Sequence, residues 1–382
     1  MKIAIPTETR QNETRVAATP ETVKKYVALG AAVAVQRGAG IAASVTDEAF
    51  VEAGATIVDS SWDAVQDADM VLKVAPPTPQ EVGEFRPGAY YAGLLNPFAE
   101  RDTIEAMVRQ NVTAFAMEFM PRITRAQSMD VLSSQSNLSG YLAVIEAAAL
   151  YNRAFPQMMT AAGTIPPAKV FVMGAGVAGL QAIATAKRLG AQVSATDVRP
   201  AAREQVESLA AKFVMVDSEE TREAETSGGY AREMSEEYKR KQAELIAQTI
   251  AKQDVVVTTA LIPGRPAPLL VTDEMVASMK PGSVIVDLAV EQGGNVAPSR
   301  LGDVVEAHGV LIAGYANMPG RIAADASALY ARNLHNFLAL MIDKDEKAFK
   351  VDWEDDIMTA TAVTRDGAIV HASLAPAPGP SK

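Results

Sequence analysis

Cysteine is missing altogether from the 382 residues. That excludes a disulfide framework and a thiol nucleophile. Histidine is nearly missing: His308, His335 and His371 are the only three. They stand far apart, without metal-ligand spacing, so a catalytic zinc site has no donor set. Each reads more simply as an ordinary core or surface residue than as a general base. Cations are outnumbered, 35 Lys and Arg against 46 Asp and Glu, for a net charge of −11. No basic stripe is available to neutralise phosphates, and nucleic acid is not an expected partner. No apolar run approaches the roughly 18 consecutive residues that a membrane span needs. The N-terminus, MKIAIPTETR, reads as a strand and a charged loop with no apolar signal-peptide core. A cytoplasmic protein is expected.

What is present is ordinary globular material, 48% hydrophobic and 21% charged, in a chain long enough for two domains. Strand and helix signals alternate. Strands are expected at 2–6, 32–36, 69–74, 89–92 and 113–116, with helices at 22–29, 46–53 and 100–109 between them. They recur at 170–173, 192–196, 213–216, 255–258, 284–287 and 310–313. Alternation of this kind predicts α/β domains with doubly wound parallel sheets. Long apolar helix patterns at 138–155 and 323–341 are placed to join the halves. The expected organisation is a first Rossmann-like domain of residues 1–135 plus 330–382 and a second of 136–329, with a cleft between. The tail after Lys344 reads as charged and then Pro/Ala-rich, fraying from Ala375.

The most informative stretch is KVFVMGAGVAGLQAIATAKRLGAQVSATDVRP, Lys169 to Pro200. An apolar strand runs into Gly174, Gly176 and Gly179, a helix pattern follows, and a second strand ends on Asp197. This is the order of parts that holds a dinucleotide. Gly174 allows a tight turn, Gly176 lets backbone approach a pyrophosphate, and Gly179 permits close helix packing. The helix N-terminus supplies N–H donors and the positive dipole end. Asp197 accepts from an adenosine ribose and repels a 2′-phosphate, which favours NAD(H) over NADP(H).

Two further segments carry open readings. Residues 217–253 exceed an ordinary crossover of about a dozen residues. They contain Gly228-Gly229-Tyr230, either a hinged lid over a nucleotide or a flexible lead-in to a solvated helix. The stretch from Glu118 to Ser134, polar and between an apolar strand and a long helix, is expected to face the cleft. Arg122, Gln127 and Asp130 there are suited to clamp an amide and ribose hydroxyls. Alternatively it is a solvated loop whose Asp130 caps the following helix.

The combination IPxExxxxExRVAxTP (Ile5 to Pro20), PRITRAQSMDVLSSQSN, AAGTIPPAKVFVMGAGVAGLQ, SGGYAREMS, TTALIPGRPAP and MKPGSVIVDLAVEQGGN resembles one family over nearly the whole chain. That family is the NAD(H)-binding component of proton-translocating nicotinamide nucleotide transhydrogenases, and the chain is similar to its separately encoded soluble subunit. The resemblance implies NAD(H) on this chain and NADP(H) on a partner domain. It further implies membrane-spanning partner subunits, peripheral association with the inner membrane, and a homodimer formed through the nucleotide domain. For the site it implies Arg122, Ile123, Thr124, Arg125, Gln127, Asp130 and Ser133 at the nicotinamide end. Gly174, Gly176, Val177, Gly179, Asp197, Val198, Arg199 and Leu261 would line the rest, and Gly229 and Tyr230 the closing loop. Of these, Arg122, Gln127 and Asp130 would serve the reaction itself.

Alanine dehydrogenase shares the architecture and is the rival reading. Lys73 and Arg15 match its substrate residues, but the segment GLLNPF puts Asn96 at or near its catalytic histidine, and asparagine carries no proton. On the leading reading Lys73 and Arg15 become structural remnants or interdomain contacts. Hydride transfer between two nicotinamides moves no substrate proton. It needs ring apposition at roughly 3–3.5 Å and exclusion of water, which suits a chain poor in histidine. A silent NAD-binding module, binding without transfer, is the third reading.

Overall fold

The computed structural model describes residues 1–216, 235–262 and 264–374. They divide into two compact units, Met1–Gln135 with Pro319–Lys382, and Ser136–Met318. The first unit opens with six strands, β1 (Lys2–Ile5), β2 (Ala32–Gln36), β3 (Thr56–Val58), β4 (Met70–Leu72), β5 (Tyr90–Gly93) and β6 (Thr113–Ala116). All pair in parallel. Alternation sends Ile3, Ile5, Val33, Val35 and Phe115 into one core layer and Ala4, Val71, Tyr91 and Ala114 into another. A parallel sheet covered on both faces is the result. The helices Pro20–Ala28 and Pro79–Glu84 start at capping boxes on Thr19 and Thr78, each followed by proline.

The second unit begins with an exposed hairpin, β7 (Met158–Thr160) and β8 (Gly163–Ile165). Its sheet comprises β9 (Lys169–Met173), β10 (Gln192–Thr196), β11 (Lys212–Phe213), β12 (Val255–Thr258), β13 (Val284–Asp287), β14 (Val304–Ala307) and β15 (Val310–Ala313). The order is β11-β10-β9-β12-β13-β15-β14, parallel except for β14. Direction of winding reverses between β9 and β12. Open α/β sheets bind ligands beyond the carboxyl ends of the strands at that point.

The chain then returns to the first unit with β16 (Ile342–Asp343), β17 (Ala348–Phe349), β18 (Ala362–Arg365) and β19 (Ala368–Ile369). The return falls at Pro319, so the helix Ala323–Leu338 lies wholly in the first unit, with Tyr330, Leu334 and Phe337 in its core. The tail is more ordered than its composition implied. β18 pairs antiparallel with β6, and the Thr364 hydroxyl donates to Val112 O at 2.7 Å and accepts from Ala114 N at 3.2 Å. The eight-stranded order is β19-β18-β6-β5-β4-β1-β2-β3. The expected frayed end beyond Leu374 lies outside the described residues.

The helix expected at 138–155 runs instead from Val131 to Leu150. Ser133, Ser134, Gln135, Ser136 and Asn137 are poor helix formers, but Asp130 accepts from Ser133 N at 2.9 Å and starts the helix early. Gly140 faces the helix Val177–Arg188 so closely that a Cβ would lie 2.0 Å from Ala178 O. Gly140→Ala is therefore expected to cost about 1–3 kcal/mol and lower the melting temperature by several degrees. An unchanged melting curve would contradict this packing.

Candidate functional site

In the second unit the site grows from the end of β9. Gly174 takes φ +107°, open to glycine, and its N–H donates to Thr196 O at 2.8 Å, tying the turn to β10. A Cβ on Gly174 would meet Thr259 Oγ1 at 2.4 Å, and one on Gly179 would meet Gly174 O at 1.8 Å. Gly179 thus makes room for the turn's own carbonyl. Around Gly176 a Cβ would find nothing within 4 Å. Gly176 is also the N-cap of the helix Val177–Arg188 and provides no side-chain cap, so the first helical N–H groups are left for a ligand.

Asp197 closes the same end of the sheet. Its Oδ2 accepts from Ala175 N at 2.7 Å and from Arg199 Nη2 at 3.0 Å. Its Oδ1 accepts from Arg199 N at 2.8 Å and Arg199 Nε at 2.9 Å. Burial raises its affinity for a proton, but these hydrogen bonds outweigh it and hold the carboxyl below its ordinary range. Val198, 81% exposed, and the exposed Val177 and Leu261 present apolar surface around it. Gly174, Gly176, Val177, Gly179, Asp197, Val198 and Arg199 are gathered at one end of this sheet. Gly229 and Tyr230, with most of the long insertion, lie outside the described residues.

One buried group here carried no local signal in the sequence. Asn295 is fully buried and its side chain satisfies both polar atoms of the Ala260 peptide, at 3.0 and 2.9 Å, and Pro268 O at 2.8 Å. Asp287 accepts from the Asn295 N–H at 3.0 Å and from the Thr258 hydroxyl at 3.1 Å. Together they fix the segment after β12, whose Thr259 hydroxyl donates to Gly174 O at 3.2 Å.

In the first unit, the polar stretch forms short 3-10 turns at Met117–Phe119 and Thr124–Met129. Ala126 and Met129 anchor it in the core, and Asn333 and Asn336 donate to Ser128 O at 2.8 and 3.1 Å. Arg122, Ile123, Thr124 and Gln127 are exposed. Arg125 forks onto Asp355 at 2.6 and 2.8 Å. Asp130 also accepts from the Ser133 hydroxyl at 2.5 Å, so its carboxylate is engaged as a helix cap.

Lys73 and Arg15 sit elsewhere in that unit, in a buried charge cluster. Lys73 Nζ, with its side chain 0% exposed, lies 2.8 Å from Glu81 and 3.5 Å from Glu8. Arg15 bridges Glu13 at 2.6 Å and donates to Gln135 Oε1 at 2.9 Å. Tyr330 donates its hydroxyl to Lys73 O at 2.9 Å. Asn96 takes φ +45° and offers its N–H to Glu118 at 2.6 Å. His308 pairs with Asp273, His335 meets the Tyr26 ring and His371 stacks on Phe119. Among the described residues no group of His, Cys, Asp and Glu is placed to hold a metal ion, and no helix is long and apolar enough to cross a membrane.

Burial pushes the Glu8 carboxyl up to about 7, against the pull of Lys73 and of the Val74 and Ala75 N–H groups. A folded-state value above the unfolded one means stability is present below about pH 4.5 and lost as pH rises through about 7. Glu8→Gln should therefore gain on the wild type across that window, by on the order of a few kcal/mol, and hold the gain above it. Parallel melting curves of the two proteins over the window would refute this.

Residues 4–139 match the family of alanine dehydrogenase/PNT N-terminal domains, and 143–372 that of the C-terminal domains. The chain is 57% identical to a NAD(P) transhydrogenase subunit alpha polypeptide of Rhodospirillum rubrum, covering 98% of this chain and 99% of that one. A solved structure, a transhydrogenase from Sinorhizobium meliloti, superposes with a TM-score of 0.89 at 54% identity, over 97% of this chain and all of that one. Alanine dehydrogenase of Bacillus subtilis is 31% identical over 98% of this chain and 94% of its own length.

Proposed function

The chain belongs to the alanine dehydrogenase/PNT family, and from that premise we propose that it is the NAD(H)-holding component of a proton-translocating transhydrogenase. It passes hydride from NADH to NADP⁺ held on a partner subunit. The observation that carries this is the uncapped helix N-terminus at Gly176, with Asp197 at the end of the neighbouring strand. The pyrophosphate is assigned to the N–H groups of the Gly174–Gly179 turn and the adenosine ribose to Asp197. Bound NADH supplies the hydride. This chain's residues supply orientation, and Arg122, Gln127 and Asp130 are assigned to the nicotinamide end.

The buried charges speak against the alanine dehydrogenase reading. Lys73 is fully enclosed and already paired with two carboxylates, which leaves no ammonium to receive a keto acid. Asn96 has no proton to shuttle. Purified chain with NADH, pyruvate and ammonium should therefore show no oxidation. Adding an NADP-binding partner and NADP⁺ should start it. Oxidation by pyruvate would overturn the assignment, and silence with the partner present would reduce the chain to a binding module.

Two further assignments accompany this one. Asp130 has a cap role that asparagine also fills. Asp130→Asn should keep the melting temperature within a degree or two and lower hydride transfer about tenfold or more. Asp130→Ala should lower both. A drop in stability alone would make Asp130 a cap and nothing else. The hairpin of β7 and β8 supports a homodimer formed through the nucleotide unit. A two-stranded hairpin is marginal alone, and Met158, Ile165 and the 79% exposed Met159 put apolar side chains on its surface. Met159→Asp should shift the species seen in sedimentation from dimer toward monomer. An unaltered dimer would place the interface elsewhere. Docking on membrane-spanning partners completes the reading, with the chain peripheral on the cytoplasmic side.

A further inference from the structure

Asp197 is saturated. An ionised carboxylate offers about four lone-pair positions, and four donors fill them: Ala175 N, Arg199 N, Arg199 Nε and Arg199 Nη2. Two of the four are main-chain N–H groups fixed by the fold. The other two belong to one guanidinium, whose planar fork places one donor on each carboxylate oxygen. A ribose with free 2′ and 3′ hydroxyls presents the same pattern, two adjacent donors for two oxygens. No acceptor position remains for it until the fork withdraws. Arg199 is free to do so, since its side chain is 47% exposed while that of Asp197 is 7% exposed. Its further tie is one 3.3 Å hydrogen bond from Nη2 to Ala175 O, so the guanidinium straddles the glycine turn itself.

We propose that Arg199 occupies, in the nucleotide-free chain, the two acceptor positions that the adenosine ribose takes on binding, and thereby sets both the affinity for NADH and the margin over NADPH. The inference rests on the reading that a dinucleotide lies at the Gly174–Gly179 turn. Its consequences differ for the two nucleotides. NADH replaces two donors with two donors, and the cost of binding is the broken ion pair. A 2′-phosphorylated ribose returns one hydroxyl and brings a dianion. The Asp197 charge repels that dianion, and Arg199 nearby shields the repulsion. Arg199 thus weakens NADH binding while softening the rejection of NADPH. Selectivity is set by the pair, where the acid alone would set it higher.

The test is the dissociation constants of NADH and NADPH, by nicotinamide fluorescence, for wild type, Arg199→Ala and Arg199→Lys. A half-exposed ion pair predicts about two- to fivefold tighter NADH binding by Arg199→Ala. NADPH should bind that variant no better than wild type, so the ratio widens. Arg199→Lys, a point charge without the fork, should fall between. Thermal melts establish that the surface substitution leaves the fold intact. Equal or weaker NADH binding by Arg199→Ala would overturn the proposal, since Arg199 would then be a nucleotide contact or a bystander. A proportionate gain for both nucleotides would overturn it as well. Failure of the wild type to bind NADH would sink the dinucleotide reading itself, and the proposal with it.

Discussion

A helix N-terminus without a side-chain cap leaves backbone N–H groups short of acceptors, and in the second unit the whole arrangement is organised around keeping it so. Gly176 caps the helix Val177–Arg188 with nothing but backbone. For that end to stay accessible, the turn before it must fold flat against β9, β10 and β12. Gly174 manages this with a positive φ and a contact to Thr259 that excludes any Cβ, and Gly179 by admitting the Gly174 carbonyl. The buried pair of Asp287 and Asn295 then fixes the segment carrying Thr259 from the far side. Local sequence, sheet order and buried polar contacts converge on one small volume at the point where the winding of the sheet reverses.

The first unit uses its charged residues differently. Lys73, Glu8, Glu81, Arg15 and Glu13 form a buried, mutually satisfied cluster. Such a cluster is a poor general acid–base device because each group is held by another. Its presence in a family that includes alanine dehydrogenases has a physical reading in this chain. Hydride exchange between two nicotinamides requires no substrate proton, so residues of this type are free to serve structure. The scarcity of histidine and the asparagine at position 96 belong to the same picture.

Much of this was legible in the sequence, because periodicity and glycine spacing are local signals. The alternation of strands and helices gave the class of both sheets, and strands such as Gln192–Thr196 and Val284–Asp287 stand at the expected residues. The Gly174–Asp197 fingerprint marked the end of the sheet where those residues now lie together. What escaped was set by partners distant in sequence. Val131–Gln135 is helical because Asp130 caps it, against a run of weak helix formers. The edge strand Ala362–Arg365 sits in a charged tail and is fixed by β6, some 250 residues earlier. Asn295 and the Asp197–Arg199 fork are invisible to spacing, for nothing in EQGGN or DVRP announces which atoms will meet.

The most direct test of the central claim is a crystal structure of this chain with NADH. The account predicts the pyrophosphate against the N–H groups at Gly176 and Val177, with the adenosine ribose hydroxyls on the Asp197 carboxylate. A nucleotide bound elsewhere, or one whose ribose leaves Asp197 untouched, would contradict it.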